Sequence, residues 1–69
     1  MFRIQIDALM PNGSMKIIEL FTEGELNEVL DHKVPHLVVD NAKERGYKLA
    51  FIKVFDSKGR QIDEAFMNW

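Results

Sequence analysis

"IDALMPNGSMKIIE", residues 6–19, is the stretch from which the rest of the chain can be read. Pro11 presets the negative φ of a first turn position, and Gly13 is free to take a positive one, so the stretch closes a hairpin between two strand-like runs. Two registers compete. A two-residue Asn-Gly loop sets Glu19 opposite Ile6 and buries a carboxylate with no evident partner. A three-residue Pro-Asn-Gly loop, with glycine at the left-handed position, sets Ile18 opposite Ile6, Leu20 opposite Ile4 and Glu19 opposite Gln5. Only the second leaves one face of the hairpin apolar, so it is the expected register.

Upstream of the turn, Phe2, Ile4, Ile6 and Ala8 alternate with Arg3, Gln5 and Asp7, the period-two pattern of a strand half buried against a core. The far end of the chain, "GYKLAFIKVFDSKGRQIDEAFMNW", residues 46–69, repeats the device. A β-rich run leads into "DSKG" as a type I turn ending in glycine, and a second strand follows. The same loop length predicts Val54 opposite Ile62 and Lys53 opposite Asp63.

Between the hairpins lies "TEGELNEVLDHKVPHLVVDNAKERG", residues 22–46, in which Leu26, Val29, Leu30, Val34, Leu37, Val38 and Ala42 follow helical spacing. Thr22 and Glu25 read as a capping box, and Gly46 after Arg45 as a helix stop. Pro35 removes one backbone donor and crowds the preceding turn, so a kink or a split into two helices is expected between about Asp31 and Pro35. The expected fold class is α+β, in the order β-β-α-β-β. Two hairpins form an antiparallel sheet and one kinked or split helix covers one face, all within a single domain, residues 1–69. How the hairpins pair with each other does not follow from the pattern.

At 69 residues the chain is near the size at which one hydrophobic core only just outweighs the entropy of ordering the backbone, which leaves no room for a second domain. Its 46% hydrophobic and 29% charged residues are those of a folding chain rather than a disordered one. The absence of cysteine excludes disulfides, zinc-thiolate sites and thiol catalysis, and points to a reducing cytoplasm. The opening "MFRIQIDALM" lacks the unbroken apolar block of a secretory signal, and no apolar run approaches the ~20 residues of a membrane span, so a soluble protein is expected. A formal charge of -2 supports neither broad phosphate binding nor acidic mimicry of DNA.

Chemistry-bearing residues are sparse. On a straight helix Glu28, His32, His36 and Asp40 form one stripe, and an i, i+4 histidine pair with a carboxylate can grip zinc or nickel. His32 and His36 are weak candidates only. The stripe faces away from Leu26, Leu30 and Leu37, and Pro35 bends the backbone between the two rings. No metal site and no cofactor is therefore expected. Ser14 and Ser57 sit in turns with no histidine near in sequence, and Gly13, Gly24, Gly46 and Gly59 stand singly at element ends rather than in a phosphate loop. No enzymatic constellation emerges.

The stronger signal is on the sheet. The face turned from the helix receives Leu9, Met15, Ile17 and Phe21 from the first hairpin, and Tyr47, Leu49, Phe51, Phe55, Met67 and Trp69 from the second, with Arg3, Lys53 and Asp63 among them. An apolar patch of that extent marks an interaction site, and aromatic and methionine residues are those enriched in interface cores. The expected contact residues are Phe21, Tyr47, Phe51, Phe55 and Trp69, with Lys53 and Arg3 setting orientation. A competing arrangement folds one hairpin over the other or displaces the last strand, which moves part of this set into the core.

The build resembles the small host-directed inhibitor and anti-defence proteins that bacteriophages encode, a likeness of size and layout that specifies no residue. The function expected is that of a non-enzymatic protein-binding module, docking on a larger protein or on its own twin as a homodimer. The alternative is a single-stranded nucleic-acid platform, with bases stacked on Phe21, Tyr47, Phe51 or Phe55 and phosphates held by Arg3, Lys48, Lys53 and Arg60. The charge balance weighs against it.

Overall fold

A computed structural model of the chain describes residues 1–68. Strands β1 (Phe2–Leu9) and β2 (Met15–Thr22) form the first hairpin. Helix α1 follows over residues 26–45, and β3 (Leu49–Phe55) and β4 (Gln61–Asn68) form the second hairpin. All pairs are antiparallel, in one open sheet of order β2-β1-β3-β4. The α+β, β-β-α-β-β layout expected from the sequence is the observed one.

The first hairpin takes the three-residue loop. Ile6 opposes Ile18, Ile4 opposes Leu20 and Gln5 opposes Glu19. Gly13 adopts φ 86° and donates its N–H to the Met10 carbonyl at 2.8 Å, while Met10 donates to Ser14 at 2.8 Å. The second loop is built alike. Gly59, at φ 80°, donates to the Asp56 carbonyl, and Asp56 donates to Arg60. The Asp56 carboxylate then accepts the backbone N–H groups of Lys58 and Arg60, each at 2.9 Å.

Beyond this loop the register departs from expectation. Phe55 opposes Gln61, but a bulge follows, so Val54 opposes Asp63 and Lys53 opposes Glu64, rather than Ile62 and Asp63. The physical reason is charge burial. Without the bulge Glu64 would face Ile52 on the core side of the sheet; with Ile62 as the extra residue, Ala65 takes that place and Glu64 turns to the other face. Ile62 and Met67 then both pack on the core.

The helix neither splits nor breaks at Pro35. Between α-helical turns at Leu26–Glu28 and Val34–Arg45 it widens into a π-helical segment, Val29–Lys33, in which Val34 donates to the Val29 carbonyl five residues back. A wider turn relieves the crowding that the proline ring imposes, and it leaves Pro35 at the start of the second α segment, where its missing N–H is not needed. It also sets a packing face. In a helix of about 3.6 residues per turn, Val29 and Val34 would point well apart. The five-residue repeat aligns them, and Val29, Val34, Val38 and Ala42 are all buried.

The N-terminal signal is read differently by the fold. Thr22 ends β2, and Glu25 occupies the cap position without a side-chain hydrogen bond, so the expected capping box does not form. Lys33 ties down this connection instead, donating to the Glu23 carbonyl and pairing with Glu28 at 3.5 Å. At the other end Gly46, φ 83°, stops the helix as expected and donates to Ala42 at 2.7 Å.

The core lies between this helix face and Ile4, Ile6, Ala8, Ile18, Ala50, Ile52 and Val54 of the sheet. Coverage is deepest over the central strands β1 and β3. At the β4 edge a cleft of about 270 Å³ remains between Leu30, Val34 and Pro35 of the helix and Ala65 and Met67. No described helix is long and apolar enough to cross a membrane.

Candidate functional site

The second face of the sheet carries no helix, and the strand registers lay it out in rows. Across β2, β1, β3 and β4 these read Phe21, Arg3, Phe55, Gln61; then Glu19, Gln5, Lys53, Glu64; then Ile17, Asp7, Phe51, Phe66; then Met15, Leu9, Leu49, Asn68. A polar row thus crosses the sheet between more apolar rows on either side. Ile17 is 68% exposed, Phe66 62% and Phe51 40%, and Met15 and Phe21 are also exposed. Phe51 and Phe66 meet edge to face, ring centroids 6.3 Å apart, which presents them as one preformed aromatic pair.

Arg3 is anchored on this face. Its guanidinium lies 4.2 Å from the Phe55 ring centroid, pairs with Glu19 at 2.9 Å and reaches the Gln5 amide oxygen at 3.3 Å. Stacked on one side and paired on the other, it has little freedom left. Lys53, half-buried at the centre, forms no ion pair among the described residues. Among the described residues Asp7 accepts only a long 3.5 Å contact from the Gln5 amide. The face carries three carboxylates, Asp7, Glu19 and Glu64, against two cations, Arg3 and Lys53.

Of the contact residues expected from sequence, Phe21, Phe51, Phe55, Arg3 and Lys53 share this face. Tyr47 does not. It is 1% exposed, packed in the core, and its hydroxyl donates to Asn41 Oδ1 at 2.8 Å. Burial pushes its phenol up from the ordinary range, with nearby Arg45 acting in opposition. Tyr47 precedes β3, so the alternation that places Leu49 and Phe51 does not extend to it; leaving Gly46 in a left-handed conformation, the chain tucks its ring beneath the helix. Asp63 and Met67 lie on the helix side because of the bulge, and Trp69 falls outside the described residues. Phe66 takes the place on the open face that sequence reasoning assigned to Met67. The signal for it was Glu64, which cannot face the core.

The remaining candidates are dispersed. His36 Nε2 lies 3.3 Å from Asp40 Oδ2, and both side chains are in water. No group of three or more His, Cys, Asp or Glu side chains converges on a metal-sized site among the described residues. Ser14 Oγ donates to Asn12 Oδ1 at 2.6 Å within its turn, and Arg60 Nε pairs with Asp56 at 3.0 Å. Arg60 is therefore committed to its own hairpin rather than to a basic track along the sheet. No protein-family model, curated protein or solved structure matches the chain.

Proposed function

We propose that the protein is a non-enzymatic binding module that works by protein-protein contact through the open face of its sheet. One observation carries this reading. Phe21, Phe51, Phe66, Ile17 and Met15 stand exposed on a single face of a four-stranded sheet, and no described residue covers them. Large aromatic and aliphatic side chains clustered on one surface, with charged groups among them, are the composition of an interface core and its orienting contacts. Phe51 and Phe66 are the central anchors of the proposed surface, with Phe21 and Phe55 beside them and Arg3 and Lys53 setting orientation. The face is open to a larger protein, on which a chain this small would act by blocking, or to a second copy of the chain. The cytoplasm is the proposed setting, since the chain has no cysteine.

The nucleic-acid alternative has less support. A phosphate-tracking surface needs an excess of cations, whereas this face has more carboxylates than cations and its one arginine is already paired. The test is capture from a lysate of the source cell by tagged protein, wild type against Phe51→Lys and Phe66→Lys. Both variants are expected to lose the captured protein while retaining the wild-type circular-dichroism spectrum. Identical capture by all three would overturn the assignment, as would salt-sensitive retention of a labelled single strand with no protein captured.

A further inference from the structure

We infer that the occupant of the open face is a second copy of the chain, the two sheets packing face to face in a four-layer α/β/β/α dimer. This rests on the protein-binding reading above and commits it to one partner.

Size comes first. Four strands of about seven residues make a footprint of roughly 19 by 24 Å. That is about 460 Å² when flat, and the protruding side chains of a corrugated face add to it, which brings it toward the lower end of the roughly 600–1,000 Å² per partner of a standard stable interface. A larger partner is not needed to bury it.

Charge comes second. Lys53 is half-buried at the middle of the face, Asp7 lies one row along on the neighbouring strand, and neither forms an ion pair among the described residues. A closed dimer of identical faces uses a two-fold axis lying between the sheets. With the axis parallel to the strands and midway between β1 and β3, β1 of one copy faces β3 of the other, and β2 faces β4. Lys53 then confronts the strand that carries the second copy's Asp7, offset by two residues, or about 7 Å along the strand, within reach of a lysine side chain. The symmetry makes this contact twice. The same operation sets Ile17 against Phe66 and Leu9 against Leu49, apolar on apolar, sets Asp7 against Phe51, and sets the like-charged Glu19 and Glu64 against each other at the outer strands, where water screens them.

The experiment is sedimentation equilibrium of the whole chain from about 1 μM to 1 mM. The wild type is expected to rise from 8.0 kDa toward twice that mass. Lys53→Asp and Asp7→Lys are each expected to weaken association at least about tenfold by opposing like charges, and the double variant to recover to within about threefold of wild type. Both side chains lie on the solvent side of the sheet, so the variants are expected to fold, and circular dichroism verifies it. A wild type that stays at 8.0 kDa throughout overturns the inference, and so does a dimer indifferent to both single substitutions. A monomer that still loses a captured protein on Phe51→Lys removes the second copy and leaves the binding face standing. A monomer that captures nothing removes both.

Discussion

Ile17 and Ile18 are neighbours of identical chemistry on β2, and the hairpin register gives them opposite fates: Ile18 is 6% exposed in the core and Ile17 68% exposed on the open face. Replacing each by alanine in turn tests the register directly. Ile→Ala at a buried site costs about 2–5 kcal/mol, the transfer term plus that of the cavity left behind. Ile18 sits on an edge strand, where neighbours can partly collapse, which places it near the lower end, at about 2–3 kcal/mol. Ile17→Ala removes exposed atoms and is expected to stay within about 0.5 kcal/mol. In a domain of this size about 1 kcal/mol moves the melting temperature by about 4–8 °C, so the Ile18 variant is expected to melt at least about 8 °C below wild type and the Ile17 variant within a few degrees. Thermal and urea unfolding followed by circular dichroism, at low micromolar concentration where copies are apart, reads both. A one-residue slip of β2 exchanges the two outcomes. Equal losses at low concentration would refute the packing of the first hairpin. At high concentration the two diverge for a second reason: if copies associate through the open face, wild type gains stability by mass action that Ile17→Ala forgoes.

Two groups tie stability to pH in opposite senses. Asp56 is held below the usual carboxylate range, first by the backbone N–H of Arg60, then by that of Lys58 and by the Arg60 side chain, against a desolvation effect that raises it. Its folded value therefore lies below its unfolded one. Its contribution is present above the unfolded pKa of about 3.9 and is lost as pH falls through the folded value. Asp56→Asn is expected to flatten that acid limb of a stability-pH curve; an unchanged limb would contradict the loop geometry. Tyr47 is shifted upward by burial, so its contribution is complete below the unfolded value near 10 and declines as pH rises beyond it. Tyr47→Phe is expected to remove the alkaline loss while costing about 1 kcal/mol at neutral pH through the missing bond to Asn41, and difference absorbance of the phenolate checks the titration itself.

Local periodicity carried most of the layout. The alternation of Ile4, Ile6 and Ala8 against Arg3, Gln5 and Asp7, the Pro11-Asn12-Gly13 loop and the glycine stop at Gly46 each act within a few residues, and the structure repeats them. Five of the expected contact residues share the open face for the same reason. The departures all involve competition between local signals and distant neighbours. Thr22 had the composition of a cap, but its backbone pairs with Phe2 across the first hairpin, so it ends a strand. Pro35 predicted a kink or a split into two helices, and keeping Val29 in the core favours a widened turn that preserves one helix. Tyr47 continued the sequence alternation without belonging to the ladder that gives alternation its meaning.

What the sequence by itself determined is therefore the order of elements, the first hairpin's register and the two-sided character of each strand, because strand and turn geometry act over two to five residues. The tertiary structure alone decided that β1 and β3 stand side by side at the centre, that Ile62 bulges so that Glu64 escapes the core and Phe66 joins Phe51, and that Lys53 lies one row from Asp7. The first and last depend on pairing β1 with β3, as Leu9 with Leu49 and Arg3 with Phe55, far apart in sequence, and the bulge depends on which face of the sheet the core occupies; there the free energy of burying one side chain or sparing one charge outweighs any local preference.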